Sequence, residues 1–187
     1  VKNYEITEAI IKPNYEITYE DTNEILDLQP KEEYELTLLR NLLKKSFNYR
    51  KSKGALSFDI PYSKILFKNN NVSIEKVFKT QAHQLVSEAM ILMGFVISDY
   101  LHNRNIPVPF RVQKINCDAN YILERNSNSL IKYSILKQYI GKSYLSLKAN
   151  VHETLALDSY IQATSPLRRY LDLIVQRQLY FNLNNKK

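Results

Sequence analysis

A chain of 187 residues and 22.0 kDa with 44% apolar side chains can bury a core of one domain, and only three glycines and six prolines exclude a collagen-like or linker-dominated protein. A formal charge of +7, a pI near 9.3 and 14 tyrosines favour an acidic partner with stackable bases, single-stranded nucleic acid above all, although codon usage in an AT-rich genome gives the same Lys-, Asn-, Ile- and Tyr-rich composition. The single cysteine, Cys117, excludes an internal disulfide and a cysteine-based zinc site, and reads as a small buried hydrophobe in a reducing compartment.

In chain order, alternating and β-branched residues predict short strands over Glu5–Ile11 and Tyr15–Tyr19, joined at Pro13-Asn14. Asp21 or Thr22 then caps a short helix through Leu28, and Pro30 opens a longer one with Leu36, Leu39, Leu43 and Phe47 on one face. Lys44, Lys45, Arg50 and Lys51 gather toward its C-terminal end, where they complement the helix dipole. Past Gly54, Ala55–Ile60 reads as a strand, and Ile65-Leu66-Phe67 with Val72–Val77 as a hairpin around Asn69-Asn70-Asn71.

A long central helix follows, with a broad stripe of Leu85, Val86, Ala89, Met90, Met93, Ile97, Tyr100 and Leu101. Gly94 inside that stripe costs helix propensity, about 1 kcal/mol relative to alanine, so it is expected to permit close backbone packing. The longest apolar run, Ala89–Ile97, is too short for a bilayer and the N-terminus lacks a signal pattern, so a soluble chain with no membrane partner is expected. Asn103–Asn105 ends the helix, Pro107 and Pro109 force an extended segment, and Phe110–Gln113 can form a strand. Cys117–Lys148 reads as helical pieces parted by a turn at Asn126–Ser129, and a last helix is expected from Pro166 to about Asn182, with Leu167, Tyr170, Leu171, Ile174 and Phe181 inward and the tail from Asn184 fraying. Strands and helices mixed without regular βαβ alternation predict an α+β fold, helices on a modest mixed sheet, over 1–187 as one domain.

Tyr160-Ile-Gln-Ala-Thr-Ser-Pro-Leu-Arg-Arg-Tyr170 carries the functional signal. Thr164 or Ser165 suits an N-cap and Pro166 the first helical position, which puts Arg168 and Arg169 in an opening turn where the macrodipole disfavours cations. Either an anion held by free backbone N–H groups draws them there, the guanidiniums clamping a phosphodiester, or they are a solvated pair relieved by Asp172.

The wider run, His152-Glu153, Tyr160, Ala163-Thr164-Ser165-Pro166-Leu167-Arg168-Arg169-Tyr170, Asp172 and Gln176, resembles the signature of the ribonuclease II family, the RNB-type exoribonucleases. Ile161 is unusual beside it. Glu16–Glu20, Gly54–Phe58, Glu88–Ile91 and Phe110-Arg111 are similar in order to further blocks of that family's catalytic domain, in its middle to C-terminal part. The segments Met90–Gly94 and Ile106–Arg111 resemble cyanobacterial-type members, which favours a plastid stroma over a bacterial cytoplasm.

The resemblance implies 3′→5′ degradation of single-stranded RNA to nucleoside monophosphates. It implies Arg168 as the catalytic residue beside the scissile phosphate, Phe58 as a stacking platform at the 3′ end and Tyr19 as a second wall. Ser165 and Arg169 would join the RNA-binding residues, Arg169 gripping a neighbouring phosphate or pairing with Asp172. His152 reads as a structural histidine ahead of general base, and Tyr170 as core ahead of site. The family's Mg²⁺ is implied too, but the aspartates Asp21, Asp27, Asp59, Asp99, Asp118, Asp158 and Asp172 show no clustered spacing, so its ligands are expected outside this chain, in an N-terminal aspartate-rich region. Ser87, where the family can carry a second carboxylate, is a further departure. The flanking OB-folds have no counterpart here. Three readings follow: part of an RNB nuclease, with a separate chain carrying the aspartate cluster as one possible partner; a non-catalytic basic RNA-binding remnant or subunit; and, weakest, a DNA recognition helix.

Overall fold

The computed structural model describes residues 3–58, 60–68, 71–116 and 128–184; Cys117, Asp59, Asp118 and most of the expected turns at 69–71 and 126–129 lie outside them, as does the C-terminal tail. The expected α+β class holds, with two small antiparallel sheets and five longer helices among the described residues. Helix α1 (Tyr19–Leu28) starts one turn earlier than expected, because Thr18 is its N-cap: its Oγ1 accepts from Asp21 N–H at 3.1 Å while Asp21 Oδ2 accepts from Thr18 N–H at 3.0 Å. The Thr18 hydroxyl, which donates to Asp21 Oδ2 at 2.7 Å, and then the Thr18 N–H hold the exposed Asp21 carboxyl below its ordinary pKa. Gln29, left-handed at φ 49, and then Pro30 end the helix.

The two N-terminal strands do not form. Residues 3–18 carry no regular secondary structure, and no neighbouring strand pairs with them among the described residues; Tyr4 instead donates to Asp99 Oδ2 at 2.7 Å and Ile6 packs on the core. Alternation without a partner does not make a strand, since sheet stability comes from cross-strand pairs.

Pro30 opens a 3₁₀ turn, Lys31–Glu33, ahead of α2 (Tyr34–Ser52). Leu36 and Leu43 face inward as expected, but Leu39 is exposed and the buried stripe runs on into Arg50. At its end Ala55 N–H reaches Arg50 O at 2.9 Å and Gly54 N–H reaches Lys51 O at 3.0 Å, a Schellman motif that requires the left-handed φ of 94 at Gly54. The following Ala55–Phe58 is a loop rather than a strand, tied to the rest where Leu56 N–H donates to Thr154 O at 3.0 Å and where the Phe58 ring meets Tyr133.

The expected hairpin is present as β1 (Tyr62–Lys68) and β2 (Asn71–Val77), with Ile65 opposite Ile74 and Phe67 opposite Val72. Helix α3 (Gln81–His102) crosses the molecule, its first half packed on α1 and α2 around Leu26, Leu43 and Leu85. Its second half contributes Ile97, Tyr100 and Leu101 to the main core with Val108, Phe110, Ile161, Ala163, Val175 and Leu179. Met90 and Met93, expected inside, are on the exposed side. At 22 residues α3 is long and apolar enough to cross a membrane, which the shorter run Ala89–Ile97 did not suggest, but its buried Glu88 and its packing against α1 and α2 place it as a core helix.

Strand β3 (Phe110–Val112) forms as expected and pairs with β4 (Tyr144–Ser146), a strand inside the region read as helical pieces; α4 (Ser129–Tyr139), capped by Asn128, is the helical part of it. The final helix, α5, runs Tyr170–Asn184 rather than from Pro166, and buries Asp172, Val175 and Leu179. Leu167 at 102%, Tyr170 at 74% and Phe181 at 67% relative exposure face out, so the expected inward stripe is out of phase and Tyr170 is not core.

Candidate RNA-contacting site

The residues Thr164–Asp172 form a turn locked to the first coil of α5. Asp172 is buried to 1% exposure, and its Oδ2 accepts from Ser165 N–H at 2.9 Å and pairs with Arg169 Nη2 at 2.6 Å. Arg169 Nη2 also donates to Thr164 Oγ1 at 3.0 Å, and Gln176 Nε2 donates to Ala163 O at 2.8 Å. Because the Asp172 carboxylate already occupies the Ser165 amide, Pro166–Arg168 curl into a separate turn closed on Ser165 O, and helical geometry begins only at Tyr170. The two arginines therefore divide: Arg169 is an internal clamp, whereas Arg168 is exposed and free of ion pairs and side-chain hydrogen bonds among the described residues.

The approach to this turn is set by a relay around His152. Gln113 Nε2 donates to Gly141 O at 2.9 Å, which turns Gln113 Oε1 toward Thr154 Oγ1, 2.5 Å away. Thr154 spends its one hydroxyl proton there, so its 3.2 Å contact with His152 Nδ1 makes Nδ1 the protonated ring nitrogen. His152 is buried, edge-on to Tyr160, and burial first, then the nearby Arg111 charge, hold its pKa below the ordinary 6.5. This geometry suits the structural role. Since the unfolded chain takes up a proton at His152 that the native state refuses, stability is full above pH 6.5 and is lost as pH falls below it. Thermal unfolding should show a falling midpoint from pH 7 toward pH 5, with a shallower slope in His152→Gln; equal slopes would remove His152 from the account.

The aromatic residues expected to stack on bases each have a ring behind them. Tyr19, 41% exposed at the start of α1, lies face to face with His83, centroids 3.9 Å apart at 11°. Phe58 is half-buried with the edge of Tyr133 on α4 against it, 5.3 Å away at 67°. No hydrogen bond, ion pair or ring contact joins Tyr19, Phe58 and Arg168 to one another among the described residues. Between the end of α2 and the 153–158 loop runs a groove of about 1130 Å³, lined in part by Lys45, Tyr49, Arg50 and Lys53, with Glu153 and Asp158 opposite.

A family model for the RNB domain matches residues 1–185. The chain belongs to the RNB domain family. Among curated relatives, it is 35% identical over 181 residues to an uncharacterised ribonuclease of Synechocystis sp., covering 96% of this chain and 27% of that one. It is 31% identical over 188 residues to the chloroplastic/mitochondrial ribonuclease II of Arabidopsis thaliana, covering 96% of this chain and 23% of that one. The chain thus spans about a quarter of the length of these relatives. Among solved structures, Mycoplasma genitalium RNase R in complex with ribose-methylated single-stranded RNA superposes with a TM-score of 0.75 at 17% identity, over 88% of this chain and 32% of that chain. The Dss1 exoribonuclease of Candida glabrata gives 0.76 at 21% identity, over 90% and 24%.

Among the described residues of this RNB chain the carboxylates do not gather around a common point. No three His, Cys, Asp or Glu side chains converge among the described residues. Asp21 serves its helix cap, Asp27 accepts from Gln81, Asp99 from Tyr4 and Asn103, and Asp172 is spent on the turn. What sequence reasoning missed is the pairing of Arg50 with Glu88, both side chains 7% exposed and 2.5 Å apart, with Arg50 Nη1 also donating to Leu155 O at 2.9 Å. Arg50 therefore ties α2 to α3 and to the loop ahead of the signature, instead of complementing a dipole. The signal was present in the spacing: Leu36, Leu43 and Arg50 recur every seven residues, and Glu88 follows Leu85 by three, so both charges sit on apolar stripes.

Proposed function

We propose that the RNB chain grips single-stranded RNA and supplies transition-state stabilisation in 3′→5′ exoribonucleolytic release of nucleoside monophosphates. The observation that carries this is the division of labour at the signature turn: Asp172 neutralises Arg169 and fixes the backbone, which leaves Arg168 as an unspent guanidinium on a rigid support. A fixed cation placed where charge accumulates on phosphate needs no reorganisation as the bond breaks. Tyr19 and Phe58 stack on bases, and Ser165 and Arg169 flank the phosphate. Solved relatives holding RNA and a chloroplastic/mitochondrial relative support this reading, with a plastid stroma favoured and a bacterial cytoplasm the alternative. Mg²⁺ would be held by carboxylates outside the described residues, on the same polypeptide or on a separate chain. That leaves this chain as one domain of a larger catalytic unit.

Arg168→Ala should weaken binding of a labelled single-stranded RNA by about tenfold and reduce the slope of log affinity against log salt by about one. Unchanged affinity and slope would refute the assignment. A second reading, a non-catalytic RNA-binding remnant, is favoured by the lack of converging carboxylates among the described residues. The readings separate when a preparation that includes the aspartate-rich region is supplied with Mg²⁺ and RNA: turnover that Arg168→Ala abolishes supports the enzyme, and binding without turnover supports the remnant.

A further inference from the structure

Three rings from three different elements meet on one exposed surface. Tyr19 opens α1, Tyr62 opens β1 and His83 stands in the first turn of α3. His83 lies parallel to Tyr19 at 3.9 Å and presents its ring at 62° to Tyr62, 6.3 Å away. Both of its nitrogens are engaged. Nδ1 accepts from Thr80 N–H at 3.5 Å and lies 2.8 Å from Thr80 Oγ1, which makes Nε2 the protonated nitrogen, directed to the Tyr62 hydroxyl at 3.4 Å.

A histidine at this helix position would be unremarkable as a cap alone, since a glutamine there does the same work. The stack is the part a cap does not explain. His83 is held by bonds in its own ring plane, so its face is fixed and can hold the Tyr19 ring upright, with one side of Tyr19 covered while the residue stays 41% exposed. We propose that His83 is a positioning residue for RNA, backing Tyr19 so that a nucleobase stacks on the tyrosine's outer face without a loss of side-chain freedom on binding. This rests on the reading of Tyr19 as an RNA contact given above, and adds the residue that makes the ring a platform. Stacking of this kind tolerates every base, because each has a π-face.

Two substitutions separate ring from cap. His83→Gln keeps an acceptor for the Thr80 amide and removes the ring, whereas His83→Phe keeps a ring against Tyr19 and removes the acceptor. The sequence holds no tryptophan, so Tyr19→Trp introduces a single reporter at the platform. Titrated with a single-stranded oligouridylate, the Tyr19→Trp protein should show quenched emission. Adding His83→Gln should reduce that quenching and weaken affinity by about five- to tenfold, and adding His83→Phe should restore both to near the parent. Equal behaviour of the Gln and Phe variants, or a loss confined to Phe, would overturn the positioning role and leave His83 a cap. RNA that binds the Tyr19→Trp protein in an Arg168-dependent way without quenching would overturn the platform while the phosphate reading stands; RNA that does not bind at all, to this protein or to the unsubstituted chain, would end both.

Discussion

Glu88→Met is expected to destabilise the chain by about 3–5 kcal/mol, because it leaves the Arg50 guanidinium buried without its counter-charge. Both side chains are 7% exposed, so water cannot replace the lost partner. Arg50→Met should cost a similar amount for the converse reason, and it also strips the Leu155 carbonyl of its donor, about 1 kcal/mol of the total. The double variant Arg50→Met/Glu88→Met should be more stable than either single one, since a matched apolar pair carries no uncompensated charge and Arg50 Nε and Glu88 Oε2 have no hydrogen-bond partner among the described residues. Urea unfolding of the four proteins closes the cycle. Additive losses would show that the two charges are not coupled, and that the pair is an incident of packing. Coupled losses would identify it as the bolt joining α2, α3 and the 153–155 turn at the start of the signature run.

The parts of the fold legible in the sequence are those whose information is local. The hairpin Tyr62–Val77 and the helices α2 and α3 follow from periodicity within one stretch of chain, and β3 from the prolines that precede it. What was misread depended on distant partners. Strand β4 is three residues long and exists because Phe110–Val112 accepts it, so Tyr144–Ser146 carries no pattern of its own. Residues 5–11 carry the alternation of a strand and find no neighbour among the described residues. The start of α5 turned on a buried side chain: Asp172 takes the Ser165 amide, delays the helix to Tyr170 and shifts its buried face to Asp172, Val175 and Leu179. The same tertiary bond parts Arg168 from Arg169, which the spacing Thr-Ser-Pro-Leu-Arg-Arg left equivalent. Motif resemblance points to Tyr19, Phe58 and Arg168, but the rings behind the two aromatic residues, His83 and Tyr133, belong to no such motif, and the packing of α1 on α3 and of 55–58 beside α4 discloses them.

Gly94→Ala is expected to cost about 2–4 kcal/mol despite the gain of about 1 kcal/mol in helix propensity that alanine brings. A Cβ at this position would stand 2.4 Å from the Ile161 carbonyl oxygen and 2.5 Å from Tyr160 Cε2. Glycine is needed here for the approach of another chain segment, as its cost inside the apolar stripe of α3 implied. A ring can swing aside, but the Ile161 carbonyl is backbone, and Ile161 itself is fully buried in the main core with Ala163. The strain must then move the segment 160–163, which leads into Thr164. Arg111 N–H donates to Tyr160 O at 2.8 Å and Gln176 to Ala163 O, so displacement would pull on β3 and α5 together. The expected result is a lower urea midpoint together with weakened RNA binding, since the turn carrying Arg168 would lose its register. Gly94→Ala with wild-type stability would show that the helix can slide away from Tyr160, and that the close approach does not hold the signature in place.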